Sequence, residues 1–499
     1  MRKAIISISA ILIFSMIIAP INATNANSLW SEPRAIPEGS NYLEGYGNIS
    51  YPAVSSISSL GSLISNTILV GNITGDESVE IIGISYLDHS LKVFDNELNL
   101  LWSFQERNNT ALEKEKEYWD LIPAVAIGDV DEDGVMEIAF SLTSVDSNMS
   151  MLHLFKGDGT ELWRLEIDGK IAKSSLYIVD INRDNKNEIL FGAEQIYIVS
   201  GNGTYICRSN IHLNDFQGIS SIVVGGDRIL ATMWHYSKEE LSDMASGPVN
   251  TSTRPIYSEY VLYYFICDNN KLSTIWSRSL ETSVSSFSEY SVIFASPDFN
   301  KALLVKRNSL EIIDMAIGRP KMEVENPGYY MGSPFSSSLV LTDSDIYWNE
   351  GTSLSRITWD GDVIWTIDAG GTVKTMFQSI SLFNVDSNGE KLIAKMGLGE
   401  LWYISVDDGS VYGKWDISTS EKESVSHTLI HADTDNDGYD EIITTDPEGR
   451  IVIIDSGSPP STEEPETSAN NLMLAGIGVG AMAISVAAVW VWRKRRDEN

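Results

Sequence analysis

The chain has 499 residues, a formal net charge of −34 and only two cysteines. So acidic a chain lacks the basic face that nucleic acid demands, which excludes nucleic acid as its partner. It is long enough to bury a core that needs no disulfide staple, and its charge suits a solvated outer surface and cation binding.

Arg2-Lys3, the apolar run 4–19 and the small residues Ala23 and Ala26 open the chain. That order predicts a secretory signal peptide over 1–26, since the run is shorter than the roughly 20 residues a membrane span needs. Residues 27–457 then read as one ectodomain of short strands and turns. Leu29-Trp30 is a strand remnant. Asn72-Ile-Thr74-Gly-Asp76-Glu77-Ser-Val-Glu80 is an acidic loop followed by an apolar strand, and 105–121 is charged and reads as a short helix. Asp129-Val-Asp131-Glu-Asp133-Gly134-Val-Met-Glu137 repeats the loop, as does Asp180-Ile-Asn182-Arg-Asp184-Asn185-Lys-Asn-Glu188. Eroded strand pairs follow at 222–233, 292–305 and 339–348, with a polar surface loop over 236–259. The loop returns as Asn384-Val-Asp386-Ser-Asn388-Gly389, with Leu392 at its ninth position, and as Asp433-Thr-Asp435-Asn-Asp437-Gly438-Tyr-Asp440-Glu441.

In the three full loops oxygen side chains stand at positions 1, 3, 5 and 9: Asp129, Asp131, Asp133 and Glu137; Asp180, Asn182, Asp184 and Glu188; Asp433, Asp435, Asp437 and Glu441. Carboxylates so close repel, by about 1 kcal/mol per pair at 4 Å in water and about 4 at an effective dielectric near 20. A hard cation relieves this, and Ca2+ fits best because it takes 6–8 oxygens in irregular geometry. Gly at position 6 supplies a positive φ. An EF-hand would need Glu at position 12 and flanking helices, but position 12 is Phe140, Phe191 and Thr444, and the flanks read as strands. A plain Asp-Gly hairpin turn is the metal-free alternative, and it is the better reading of the loops at Asn72 and Asn384. His427 and His431 are four apart, but they read as core or surface histidines rather than zinc ligands.

The loop starts fall at 72, 129, 180, 384 and 433, with room for three units between 180 and 384. Most units carry Trp on their last strand: Trp102, Trp163, Trp276, Trp365 and Trp415. One large ring per unit is expected to pack between units rather than bind sugar. A period near 50 with several strands per unit predicts an all-β fold, a β-propeller of about eight four-stranded blades. Seven is the count if one eroded unit is an insertion. The last unit lacks a Trp strand, so the N-terminal strand at Leu29-Trp30 is expected to complete it and close the ring.

Residues 458–471 read as a flexible stalk. Leu472–Trp492 is uncharged and reads as one transmembrane helix, and the basic tail 493–499 is placed in the cytoplasm by the positive-inside rule. Beyond the signal segment, six Asn-x-Ser/Thr sites, at Asn48, Asn72, Asn108, Asn148, Asn202 and Asn250, fit an exported chain. Cys207 and Cys267 lie in neighbouring units and leave a single disulfide open.

The loop-plus-strand unit, carried most fully by 128–134 and 432–438, resembles the FG-GAP/VCBS repeats of integrin α-subunit propellers and microbial surface proteins. The Trp strands and Asp-Gly turns are also similar to PQQ-type propeller repeats. The order of signal, propeller, stalk, span and basic tail is similar to that of archaeal cell-surface proteins. This resemblance implies calcium that stiffens blades, with ligands bound elsewhere on loops or at the central channel. The leading expectation is a non-catalytic, membrane-anchored surface protein recognising an extracellular protein or glycan. A propeller-based extracellular enzyme (polysaccharide lyase, glycosidase or quinoprotein dehydrogenase) and a structural subunit of an envelope complex are the alternatives. No Gly-x-Ser-x-Gly nucleophile motif is present.

Overall fold

The computed structural model describes residues 42–457, apart from short internal stretches of which the longest are 106–120, 237–258, 281–291, 326–337, 369–378, 385–390 and 417–428. The expected helix at 105–121, the Asp386 and Asn388 loop positions, Leu29-Trp30, the signal, the stalk and the 472–492 run lie wholly or mostly outside the described residues. Among the described residues no helix is long and apolar enough to cross a membrane.

Two kinds of strand build the fold, and composition separates them. Several second strands are buried on both faces along their whole length: Glu80–Ser85, Glu188–Gly192 and Glu441–Thr445. Such continuous apolar runs suit a sheet covered on both sides. Fourth strands alternate or face water, as in Glu161–Asp168 and Val363–Asp368. Each sheet therefore runs from a covered inner edge to a wet outer one. The described strands form eight antiparallel sheets, sequential along the chain. Blades 1 to 7 span 64–104, 121–168, 176–208, 216–280, 292–325, 338–368 and 379–416. Blade 8 takes three strands from 429–456 and its fourth from the N-terminal side. The three eroded units of the sequence are the first hairpins of blades 4, 5 and 6.

The core is divided as a ring requires. Eight apolar clusters lie one at each joint: Val93 and Phe140 join blades 1 and 2, for example, and Ile68 and Ile443 join blades 1 and 8. The eighth cluster closes the circle, so the described residues of this all-β propeller form eight blades, each packed on its two neighbours.

The closing strand differs from the expected one. It is β2 (Pro52–Ile57), antiparallel to Ile451–Ser456, not Leu29-Trp30. Before it, β1 (Tyr42–Tyr46) adds a fifth, parallel strand to the inner edge of blade 7. Between the two, Ile49 is buried in the core between blades 7 and 8, and its carbonyl accepts from the Tyr403 hydroxyl at 3.0 Å. The N-terminal segment thus clasps two blades. Trp content misled the assignment because closure needs only free backbone edges, which Pro-Ala-Val-Ser-Ser-Ile supplies.

The tryptophans join blades, as expected from their number. The Trp102, Trp163, Trp276 and Trp365 indoles donate to the carbonyls of Gly157, Gly201, Met315 and Val406, at 2.6, 2.7, 2.7 and 2.9 Å. Each acceptor lies in the last turn of the next blade. The fit is close: a Cβ on Gly157 would fall 1.5 Å from the Ile73 carbonyl oxygen, and one on Gly159 would touch the Trp102 ring at 3.0 Å. Trp163→Phe keeps the ring but strands that carbonyl. We expect it to cost about 1 kcal/mol, read as a lower urea midpoint with unchanged slope.

Candidate metal centre

Each acidic loop joins the first and second strands of its blade. In antiparallel blades these connections share one rim with those between the third and fourth strands. Two backbone kinks shape the loops. Position 6 has positive φ, as expected, at Gly134, Asn185 and Gly438. Position 4 does too, at Glu132, Arg183 and Asn436, which sequence reasoning missed. The double kink turns backbone N–H groups onto the position 1 carboxylate. Gly134 N–H bonds Asp129 Oδ2 at 2.9 Å and Gly438 N–H bonds Asp433 Oδ2 at 3.0 Å.

Carboxylate oxygens converge in two of the three full loops, within 4.8 Å of one another: Asp129, Asp131 and Glu137 in blade 2, and Asp433, Asp435 and Glu441 in blade 8. Asp133 and Asp437 stand beside these groups and accept from Val135 N–H and Tyr439 N–H, each at 2.9 Å. In blade 3 the side-chain amide of Asn182 lies between carboxylates instead, 3.1 Å from both Asp184 and Glu188. Asp180 there holds the backbone of Asp184 and Asn185.

Burial and mutual repulsion raise the acids. Burial pushes Glu441 up to about 8, against hydrogen bonds from Thr434, with Asp435 and Asp455 adding to the rise. Burial, then Asp131, Asp133 and Asp129, takes Glu137 to about 7 against the Val130 N–H bond. Glu188 rises to about 7 through burial and Asp184. Asp433 and Asp435 are also raised, first by burial. Asp433 is 4% exposed, and its Oδ1 is buried without a hydrogen-bond partner of good geometry, although the Asn436 N–H is near enough to oppose part of the burial effect. A buried carboxylate oxygen aimed into an all-oxygen cluster is what a hard cation would satisfy.

The loop at Asn72 shows the opposite solution. Glu80, in the ninth position, accepts from Ile73 N–H, Thr74 N–H, Thr74 Oγ1 and Ser78 Oγ at 2.8, 3.1, 3.0 and 3.1 Å. Hydroxyls and amides do there what a cation would do elsewhere, in keeping with the turn reading. His431 is buried with Nδ1 2.7 Å from Asp440 Oδ2, a core histidine as expected.

Strand register adds a residue that the loop motif does not contain. Lys156 follows Phe155, the partner of Ile138, and its Nζ sits 3.6 Å from Asp131 Oδ2 and 3.8 Å from Asp133 Oδ2. The counterpart in blade 8 follows Ile454, the partner of Ile442, and is Asp455. The blade 2 loop therefore carries its own partial counter-ion, whereas the blade 8 loop gains a fifth nearby carboxylate.

The loops also grip their neighbours. Asn187 donates to the Asp129 carbonyl at 2.7 Å, Lys186 meets Glu132 at 2.5 Å, and Met136 N–H bonds the Asn72 carbonyl at 3.2 Å. Asn96 of blade 1 donates to the Thr434 carbonyl of blade 8 at 3.0 Å, across the ring's closing joint. On the same rim a hollow of about 540 Å³ between blades 4 and 5 is lined by Arg228, Lys301, Lys321, Asp314, Tyr264 and Phe299, with Lys321 paired to Asp360 at 2.8 Å.

No family model matches the chain, and no curated protein matches it. Among solved structures it is similar to the computationally designed Ika8 protein, at 12% identity and TM-score 0.45, covering 83% of this chain and 98% of that one. It is also similar to Sqt1 of Saccharomyces cerevisiae, at 9% identity and TM-score 0.47, covering 84% of this chain and all of that one. The architecture accordingly stands on the chain's own sheet order and cores: it is a β-propeller.

Proposed function

We propose that this propeller is a calcium-stiffened, non-catalytic recognition platform, displayed outside the cell on a single C-terminal span over 472–492 and binding a protein or glycan. The observation that carries the calcium reading is the buried Asp433 Oδ1, without a hydrogen-bond partner of good geometry, beside Asp435 and Glu441. Asp433, Asp435, Asp437 and Glu441 would hold one ion, and Asp129, Asp131, Asp133 and Glu137 another. Asp180, Asn182, Asp184 and Glu188 would form a weaker site if the Asn182 amide turned its oxygen inward. Bound calcium would neutralise each cluster and fix the loop against the neighbouring blade. The FG-GAP/VCBS-like layout of the loops supports this reading, and the apolar 472–492 run with its basic tail supports the anchored topology. The loop rim, with its hollow between blades 4 and 5, is the face offered to a partner.

Calorimetric titration of calcium into chelator-treated protein tests the proposal. We expect the blade 8 site to bind more tightly than the blade 2 site, because Asp455 stands where Lys156 does. Asp435→Ala should abolish the tighter phase. Lys156→Asp should tighten the other by about tenfold, as two units of charge near the ion contribute about 1–2 kcal/mol. No heat at millimolar calcium would defeat the metal reading. Protease accessibility of tagged termini on intact cells tests the topology separately.

A further inference from the structure

The joint between blades 3 and 4 lacks the indole that fastens other joints, and the chain's two cysteines stand in its place. In blades 1, 2, 4 and 6 the fastening Trp faces Val93, Leu154, Tyr264 and Arg356, the residue beside the bulge in each third–fourth strand pair. In blade 3 the same register position, facing Ile198 beside its bulge, is Cys207. The acceptor side agrees. The carbonyls that receive an indole belong to Gly157, Gly201, Met315 and Val406. Each lies two residues beyond the bulge residue of its blade: Phe155, Val199, Ile313 and Ile404. In blade 4 the bulge residue is Phe265, and two residues on is Cys267. Both cysteines pack into the one apolar core that joins blades 3 and 4, Cys267 buried and Cys207 half-buried.

We propose that Cys207 and Cys267 form a disulfide that covalently fastens blade 3 to blade 4, replacing the indole-to-turn hydrogen bond used at four other joints. A thiol is too small to span the gap an indole spans. A second sulfur at the acceptor position removes that shortfall, because bridged Cβ atoms lie about 3.8 Å apart. Both side chains lie in that one core, close enough for each thiol to perturb the other. That contact holds the Cys207 thiol below its ordinary range, while the same contact and burial push Cys267 up. Cys207, the more exposed, is therefore the attacking group. Its thiolate attacks a small disulfide such as oxidised glutathione, forming a mixed disulfide and releasing one glutathione thiolate. The Cys267 sulfur, on losing its proton, then attacks Cys207 Sγ and releases the second. The two protein protons pass to the two departing thiolates, and the reagent disulfide is the species reduced. The closed segment contains residues 237–258, the long connection inside blade 4, so the bond would hold the blade with the largest insertion to its neighbour.

The test is thiol counting on the full chain, purified without reductant and then held in excess oxidised glutathione. After denaturation and alkylation, we expect no labelled cysteine and one cross-linked peptide pair that contains Cys207 and Cys267. Reductant should lower the melting temperature by several degrees, and Cys207→Ser should already melt at the reduced value and ignore reductant. Two alkylated cysteines, or glutathione adducts persisting on Cys207, would overturn the proposal. This count needs no variant to fold and is independent of calcium, so its failure is distinguishable from failure of the metal sites.

Discussion

Calcium added back to chelator-stripped protein is expected to raise its melting temperature by about 5–10 °C. At calcium 100-fold above the dissociation constant each site contributes about 2.7 kcal/mol. Two sites in a chain of this size convert to a shift of that order. The effect should be concentrated at the closing joint, where Thr434 and Asn96 tie the blade 8 loop to blade 1. Glu441→Gln keeps the Thr434 bonds but removes a ligand charge, and should reduce the response by about half. Asp76→Ala is the control. It removes the partner of Ser78 N–H and Oγ and should cost about 1 kcal/mol without altering the calcium response. Melting curves that coincide with and without calcium would remove the stiffening role.

The metal-free protein should lose stability as pH rises, and the calcium-loaded protein should hold it. Glu137, Glu188 and Glu441 have folded-state values of about 7, 7 and 8, raised above the ordinary 4.5. A carboxyl raised by folding is held in its neutral form. Its stabilising contribution is therefore fully present below about 4.5 and is lost as pH rises through 7–8. A rise from 4.5 to 7 corresponds to roughly 3 kcal/mol at full strength, and screening at the loop rim reduces this to about 1–2 kcal/mol each. Metal-free protein should thus be less stable at pH 8 than at pH 5.5. Calcium needs the charged form, so its affinity should climb over the same window, and loaded protein should lose little or nothing. Denaturant midpoints at the two pH values, with and without calcium, check the difference. A metal-free midpoint that rises between pH 5.5 and 8 would show that these carboxyls are already ionised and solvated.

Much of the architecture was legible because it is local and repeated. A loop with Asp, Asn or Thr at its first, third and fifth positions before an apolar run marks a hairpin tip, and its degenerate copies at 72, 129, 180, 384 and 433, most of them about 50 residues from a neighbour, revealed the ring. Even the eroded units at 222–233, 292–305 and 339–348 kept the β-branched runs that make a blade's first hairpin. Three loop carboxylates come together in blade 2 and three in blade 8. In blade 3 one amide, Asn182, is enough to alter the arrangement.

What the amino-acid sequence determined alone is the alphabet of this protein: strands, acidic turns, one indole per typical unit, and a count of about eight. Those features depend on residues a few positions apart, where backbone geometry and periodicity decide. The tertiary structure decided which segment closes the ring, β2 rather than Leu29-Trp30, because closure depends on free backbone edges and not on side-chain type. It also decided that Lys156 and Asp455 face equivalent loops with opposite charge, and that Cys207 and Cys267 share one joint. Those pairings follow from strand register and from the stacking of one blade on the next, which bring together residues that the chain order keeps apart.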